Sequence, residues 1–488
     1  MGDTTDVDSV DVVVVGSGPN GLAAAVTMAR AGLSVRVYER ASTIGGGART
    51  GELTLPGYLH DLCSAVHPMA LASDFFQRFQ LASRVELRQP EVAYGHPLEG
   101  GRAGLAYRDL DETARRLGVD GPAYKRLLAP LVEHWRQLAQ FTGGSLLRVP
   151  QHPVLVAQFG LRVLEQGSPL WGLRFESDVA PALLSGVSAH ANLPLPGLAP
   201  AAAGLLLATY AHGVGWPIPV GGSQSIVNAM VDDLLLHGGQ IVTDTDVTSL
   251  DDLPQSRAVL LDVSPRALAS IAGDSLPPRY ARALSRFRYG NAVAKLDFAL
   301  SDPVPWSNAE LHRAGTIHVG GTHAQIARAE ATVASGRHAH KPYVLVSQPS
   351  TFDASRAPEG RHVLWAYAHV PSGSDIDQSN AIIGQIERFA PGFRDTILAQ
   401  HSSTSVEEEA MNPNYVGGDI SSGAATVGQL IRRPTLARYP WQTPVRGLYL
   451  CSASTPPGPA VHGLGGWHAA RRALAVEFGI TRAPDLRI

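Results

Sequence analysis

The chain has 488 residues, 44% of them hydrophobic, enough for a large core and more than one ordinary domain. Its 40 Lys and Arg against 43 Asp and Glu leave a formal net charge of −3, which gives no basic footprint for nucleic acid. Its two cysteines, Cys63 and Cys451, exclude a disulfide framework and read as buried thiols.

Met1–Ser9 is acidic and polar, unlike a secretory leader. No segment approaches the ~18 uncharged apolar residues of a membrane span; Leu198–Tyr210 comes nearest and is too short. A cytoplasmic protein is expected. The sparsely charged stretch Val154–Leu164 is its one candidate for peripheral membrane contact.

Asp11–Val15 is an apolar run suited to a buried parallel strand. Gly16, Gly18 and Gly21 form a GxGxxG turn, with Pro19 and Asn20 at the head of an Ala-rich helix running to Ala31. Gly32 is its stop, and a second strand, Ser34–Tyr38, ends at Glu39 and Arg40. Gly16 permits the tight turn, Gly18 lets a pyrophosphate approach the backbone, and Gly21 allows the helix to pack on the strand. The helix N-terminus offers N–H groups and partial positive charge to phosphates. Glu39 stands about 20 residues on, where a carboxylate accepts from ribose hydroxyls. Gly45, Gly46 and Gly47 follow six to eight residues after Glu39, then Ala48 and Arg49. A nicotinamide enzyme has no general need for this second cluster, whereas the longer FAD calls for another backbone approach near its phosphates. Arg49 supplies charge there.

The remaining organisation is interleaved. Residues 8–75, 217–284 and 419–488 read as one discontinuous FAD-binding domain; 76–216 and 285–418 read as substrate domain. The first substrate segment is mainly helical: Leu110–Leu117, Pro122–Gly143 and Val154–Glu165. The chain returns to the FAD domain with a helix, Ser223–His237, and strands Gln240–Thr243, Asp246–Leu250 and Ala258–Pro265. Ala292–Leu300, Ala314–Val319, Tyr343–Gln348 and His362–His369 suit an antiparallel sheet, followed by a helix, Ala381–Arg388. Leu448–Cys451 reads as a buried strand, Ser454–Gly466 as a loop and Trp467–Phe478 as a helix. The fold class is therefore α/β, a Rossmann-like FAD-binding domain interleaved with an α+β substrate domain. A second GxGxxG is absent, so electrons are expected to pass from flavin to oxygen, a quinone or another bound acceptor. No HxH, HExxH or CxxC cluster has plausible partner ligands, and no metal is expected.

The N-terminal block and Gly447–Arg471, which contains Pro456-Pro457-Gly458-Pro459-Ala460-Val461-His462-Gly463, resemble phytoene-dehydrogenase-like FAD oxidoreductases. These form the amine oxidase/phytoene desaturase branch of the glutathione-reductase-type FAD fold. The nearest resemblance is to bacterial relatives of the pyridine nucleotide-disulfide oxidoreductase domain-containing protein 2 group. Where that family often has a run of glycines, this chain reads Gly458-Pro459-Ala460. The resemblance implies non-covalent FAD, with Val247 at the adenine and Ser454, Val461, His462 and Gly463 near the flavin. His462 is a candidate acid or base, a hydrogen-bond partner of a flavin carbonyl, or a packing residue of its loop. His67 is placed along the isoalloxazine face. Tyr289–Leu300 resembles the amine-oxidase strand whose lysine holds a water near flavin N5, which makes Lys295 the first catalytic candidate. Trp216, Tyr415 and Trp467 are candidate pocket walls. The function expected is removal of two electrons, as hydride, from a C–C or C–N bond of a hydrophobic small molecule, with desaturation foremost. A redox-neutral isomerase, an amine oxidase and a non-catalytic lipid-binding escort protein are the alternatives.

Overall fold

A computed structural model describes residues 9–488; all but Ser9 of the leader reading at Met1–Ser9, and residue 8 of the first domain segment, lie outside the described residues. Four consecutive buried valines, Val12–Val15, form the central strand of a five-stranded sheet. Branched side chains fit a sheet covered on both faces. The spatial order is Leu448–Leu450, Ala258–Leu261, Val12–Val15, Val35–Tyr38, Gln240–Val242, and every pairing is parallel.

Helix Pro19–Ala29 follows the first strand, with Gly18 as N-cap and Pro19 at the position where a missing N–H costs nothing. It packs against helix Leu464–Glu477 with almost no space between backbones. A Cβ on Gly466 would lie 1.8 Å from the Asn20 carbonyl oxygen, and one on Gly21 would lie 2.1 Å from that of Gly16. The closing helix begins at Leu464 rather than Trp467. Gly465 and Gly466 are its first turn because only glycine fits against Asn20 and the Cys451 carbonyl.

The second sheet has seven strands, ordered Ile397–Ser403, Ala292–Leu300, His362–Val370, Val344–Ser347, Ala314–Val319, Val92–Leu98, Arg102–Tyr107. It is mixed rather than purely antiparallel, since Ala314–Val319 runs parallel to Val92–Leu98. Helices Val179–Ser188 and Leu198–Gly213 pack on one another, and buried residues of both share a core cluster with Tyr94 and Trp216.

Three further elements differ from the sequence pattern. Asp246–Leu250 forms no strand. The Asp252 carboxylate accepts the N–H groups of Thr248 and Ser249, each at 2.9 Å, and commits them to a capping box. The stretch Pro122–Gly143 is two helices, Gly121–Glu133 and Trp135–Thr142, broken at His134. The strand read through Pro265 ends at Leu261; Ser264 caps a new helix, Pro265–Ala272, by accepting the Ala267 N–H at 3.2 Å.

Candidate functional site

A cavity of about 800 Å³ opens where the parallel strands end and is walled on its far side by the second sheet. Carboxyl ends of parallel strands are where such sheets bind ligands, because helix N-termini and loops converge there. Gly16, Gly18, Pro19, Asn20, Glu39, Arg40, Gly46, Gly47, Arg49, His67, Val247 and Val461 all line it.

Ser17 ties the glycine-turn end of the cavity together. Its N–H and hydroxyl both donate to Glu39 Oε2, at 2.9 and 2.5 Å, while its Oγ accepts the Gly45 N–H at 3.1 Å. Glu39 Oε1 accepts the Ala41 N–H at 2.9 Å. The first glycine turn, the strand-end carboxylate and the second glycine loop are thus one unit. A Cβ on Gly46 would sit 3.0 Å from Gly18 Cα, so the two loops nearly touch. Arg49 is aimed by three acceptors: the Gly46 carbonyl at 2.9 Å, Thr43 Oγ1 at 3.2 Å and the Met411 carbonyl at 3.4 Å. Among the described lining residues Arg40 and Arg49 are the Lys/Arg cations, both at this end.

Asp262, one residue beyond its strand, is a lining residue that sequence reading missed. Its carboxylate accepts the Gly21 N–H at 2.9 Å, and a Cβ on Gly18 would lie 2.7 Å from the same oxygen. Burial, with the nearby Glu39 charge adding to it, pushes its carboxyl up to about 7. The only sequence signal was an acid ending an apolar run. His67 is buried and shares a 2.8 Å hydrogen bond with Ser223 Oγ; burial lowers its imidazole to about 4.

Other sequence candidates stand behind the lining. Gly21, Gly45 and Ala48 support the loops. Ser454 is fully buried and donates to the Ser422 carbonyl at 2.8 Å. His462 is also fully buried: its Nδ1 accepts the Leu464 N–H at 3.0 Å and its Nε2 lies 3.1 Å from the Gly458 carbonyl. Both ring nitrogens therefore hold the 458–464 loop. Gly463 adopts φ +65° as the N-cap of the closing helix. Lys295 is buried, its ammonium paired with Asp297; its Nζ lies 5.8 Å from the ring centroid of Trp365, a lining residue, and its strand partner Tyr367 also lines the cavity. Trp216 and Tyr415 line the cavity. Trp467 is instead core, 6.0 Å from the Phe75 ring.

The far end of the cavity is walled by Phe159, Ala202, Leu206, Trp216, Leu345, Trp365 and Tyr367. Helix Pro153–Gln166 lends Phe159 to this wall while Val154, Leu161 and Leu164 stand 71%, 66% and 55% exposed. Leu146 and Leu147 belong both to the lining and to the exposed surface. Among the described residues no helix is long and apolar enough to cross a membrane, and no group of three or more His, Cys, Asp or Glu could hold a metal ion.

Residues 14–79 match the model for an NAD(P)-binding Rossmann-like domain. Over most of its length the chain also aligns with two curated proteins. Pyridine nucleotide-disulfide oxidoreductase domain-containing protein 2 of Rattus norvegicus is 24% identical, over 94% of this chain and 92% of that protein. Phytoene dehydrogenase of Streptomyces griseus is 27% identical, over 80% and 78%. A solved structure of putrescine oxidase, from a redesign of its cofactor binding, superposes with a TM-score of 0.59 at 17% identity, covering 96% of this chain and 99% of that one. The class these likenesses support is an oxidoreductase with an NAD(P)-binding Rossmann-like domain. Within it, the chain is homologous to pyridine nucleotide-disulfide oxidoreductase domain-containing protein 2 and to phytoene dehydrogenase, and it shares its fold with amine oxidases.

Proposed function

We propose that the chain binds FAD non-covalently and dehydrogenates a hydrophobic small molecule, desaturation being the foremost reaction. One observation carries this reading: a single cavity joins the Gly16/Gly18/Gly46 cradle to a chamber walled by Trp216, Trp365 and Tyr367. The cradle suits a dinucleotide, because Gly18 and Gly46 line it without side chains between the cavity and their backbone. Glu39 is placed to accept from ribose hydroxyls, and the helix N-terminus and Arg49 to meet the pyrophosphate. Val247 is placed at the adenine, and His67 and Val461 further along the cavity.

Bound FAD supplies the hydride-accepting chemistry, and oxygen or a quinone is the proposed final acceptor. The protein's own contribution is to orient the donor carbon and exclude water with an apolar wall. Lys295, fixed by Asp297, contributes positive charge from behind Trp365 rather than a free amine. The exposed Val154, Leu161 and Leu164, on the helix that supplies Phe159, support entry of an apolar donor from a membrane surface. The test is the visible spectrum of the purified protein, with acid release of its chromophore. Free FAD in the supernatant is expected; a colourless protein that cannot be reconstituted with FAD overturns the reading.

A further inference from the structure

We infer that the substrate chamber is built for an apolar molecule bearing one neutral hydrogen-bonding group, a carbonyl or hydroxyl, which His190 grips. This rests on the proposed reading of the cavity and narrows its substrate class.

Where helix Leu198–Gly213 and the second sheet wall the cavity, the lining is Ala202, Leu206, Trp216, Leu345 and Trp365. His190 and Tyr367 also line this apolar part of the cavity. Among the described lining residues the carboxylates are Glu39, Asp246 and Asp262, all in the nucleotide half. An ammonium in the chamber would have no counter-charge, and burying an unpaired charge is expensive. A pure hydrocarbon would leave His190 unsatisfied, the kind of loss by which sites reject analogues lacking a polar group.

His190 is held by a second histidine. Its Nε2 lies 2.8 Å from Nε2 of His318, and the two rings meet edge to face with centroids 4.9 Å apart. His318 is fully buried and its Nδ1 has no partner; beside it His96 anchors its Nε2 on the Gly321 carbonyl at 2.6 Å. A Cβ on Gly186 would lie 2.6 Å from His96 Nδ1 and 2.9 Å from His318 Nδ1, so this packing requires glycine there. Burial, with His369 nearby, lowers His190 to about 3, and His318 also lies well below its ordinary value, so both rings are neutral near neutral pH. Two neutral imidazoles joined through Nε2 share one proton between them. If His318 donates, His190 carries its own proton on Nδ1 and offers a donor to a carbonyl. If His190 donates, its Nδ1 is an acceptor for a hydroxyl. In either arrangement the atom left for a ligand is neutral and singly competent.

The test uses the protein as purified, titrated with four probes of one chain length: undecane, methyl nonyl ketone, 1-undecanol and undecylamine. Quenching of tryptophan fluorescence is the readout, since Trp216 and Trp365 line the chamber. The ketone or the alcohol is expected to bind about tenfold tighter than undecane or the amine, the ketone if His190 presents a donor and the alcohol if it presents an acceptor. His190→Phe should erase that preference and leave undecane binding as tight or tighter, whereas His190→Gln, which keeps a donor and an acceptor, should restore most of it. Absence of a preference for either oxygen-bearing probe in the parent protein, with or without measurable affinity, overturns the inference. So does a preference that survives His190→Phe, or tightest binding by the amine. The readout needs no turnover: a colourless protein that still prefers the ketone or the alcohol sinks the redox reading and leaves the chamber's selectivity standing.

Discussion

Glu39 shows how one carboxylate serves two tasks. It faces the cavity and also holds the Ser17 N–H and hydroxyl, so its loss disturbs the first glycine turn as well as the proposed ribose contact. Glu39→Ala should weaken FAD affinity by about 1–3 kcal/mol, the cost of leaving a charged hydrogen-bond group unmade; reconstitution of apoprotein measures it, and unchanged affinity would remove the ribose assignment. Lys295→Met should first cost stability. It strands the buried Asp297 carboxylate, and breaking such pairs typically costs about 3–5 kcal/mol. Denaturant melts report that cost, while stopped-flow flavin kinetics report any role in chemistry; normal kinetics would reduce Lys295 to a structural ion. At this scale the convergence of Gly16, Gly18, Gly46, Glu39 and Arg49 on one cavity was legible because they lie within one continuous segment. Asp262 and His190 were not. Asp262 meets Gly21 across 241 residues of chain and His190 meets His318 across 128, and no local pattern encodes such encounters.

Element boundaries were read well where periodicity was strong and missed where a single contact decides. The first strand and its helix fall within about two residues of their sequence reading, as is usual for termini. The closing helix starts three residues early because glycines that look like loop are the only residues able to lie on Asn20. Gly466→Ala should force these helices apart and cost about 1–3 kcal/mol as overpacking, with FAD occupancy falling in step because the same displacement moves the phosphate-facing N-terminus; thermal melts with and without added FAD separate the two effects. Leu161→Lys with Leu164→Lys changes exposed positions only and should leave the fold intact. Co-sedimentation with neutral phosphatidylcholine vesicles is expected to fall several-fold, and undiminished binding would discard the membrane-surface entry.

The molecule as a whole should be acid-labile. Burial lowers His67, His96, His212, His462 and His468 to about 4, and His60 and His190 to about 3, from an ordinary 6.5. Between those values the unfolded chain binds protons that the folded one refuses. The stability is therefore present above 6.5 and lost as pH falls toward 4. Asp262 and Glu408, raised to about 7, act oppositely: their contribution is present below their unfolded values of 3.8 and 4.5 and lost as pH rises through 7. Asp297 and Asp419 are raised as well, so these seven lowered imidazoles stand against four raised carboxyls, and Tm measured from pH 7.5 downward should decline by several degrees once the pH passes ~6. A flat or rising Tm would mean that these histidines are solvated.

The nucleotide sheet also has a consequence for how the chain is made. Its central strand, Val12–Val15, pairs with Ala258–Leu261, which in turn pairs with Leu448–Leu450, so this sheet is completed only by residues far along the chain. The helix beside it waits for Leu464–Glu477. Pairings of such long sequence separation close late and leave apolar surface open meanwhile. Residues through the closing helix must therefore be present before the first helix can pack fully beside the glycine turn. A chain truncated before residue 448 is expected to be a client of chaperones rather than a partly folded protein.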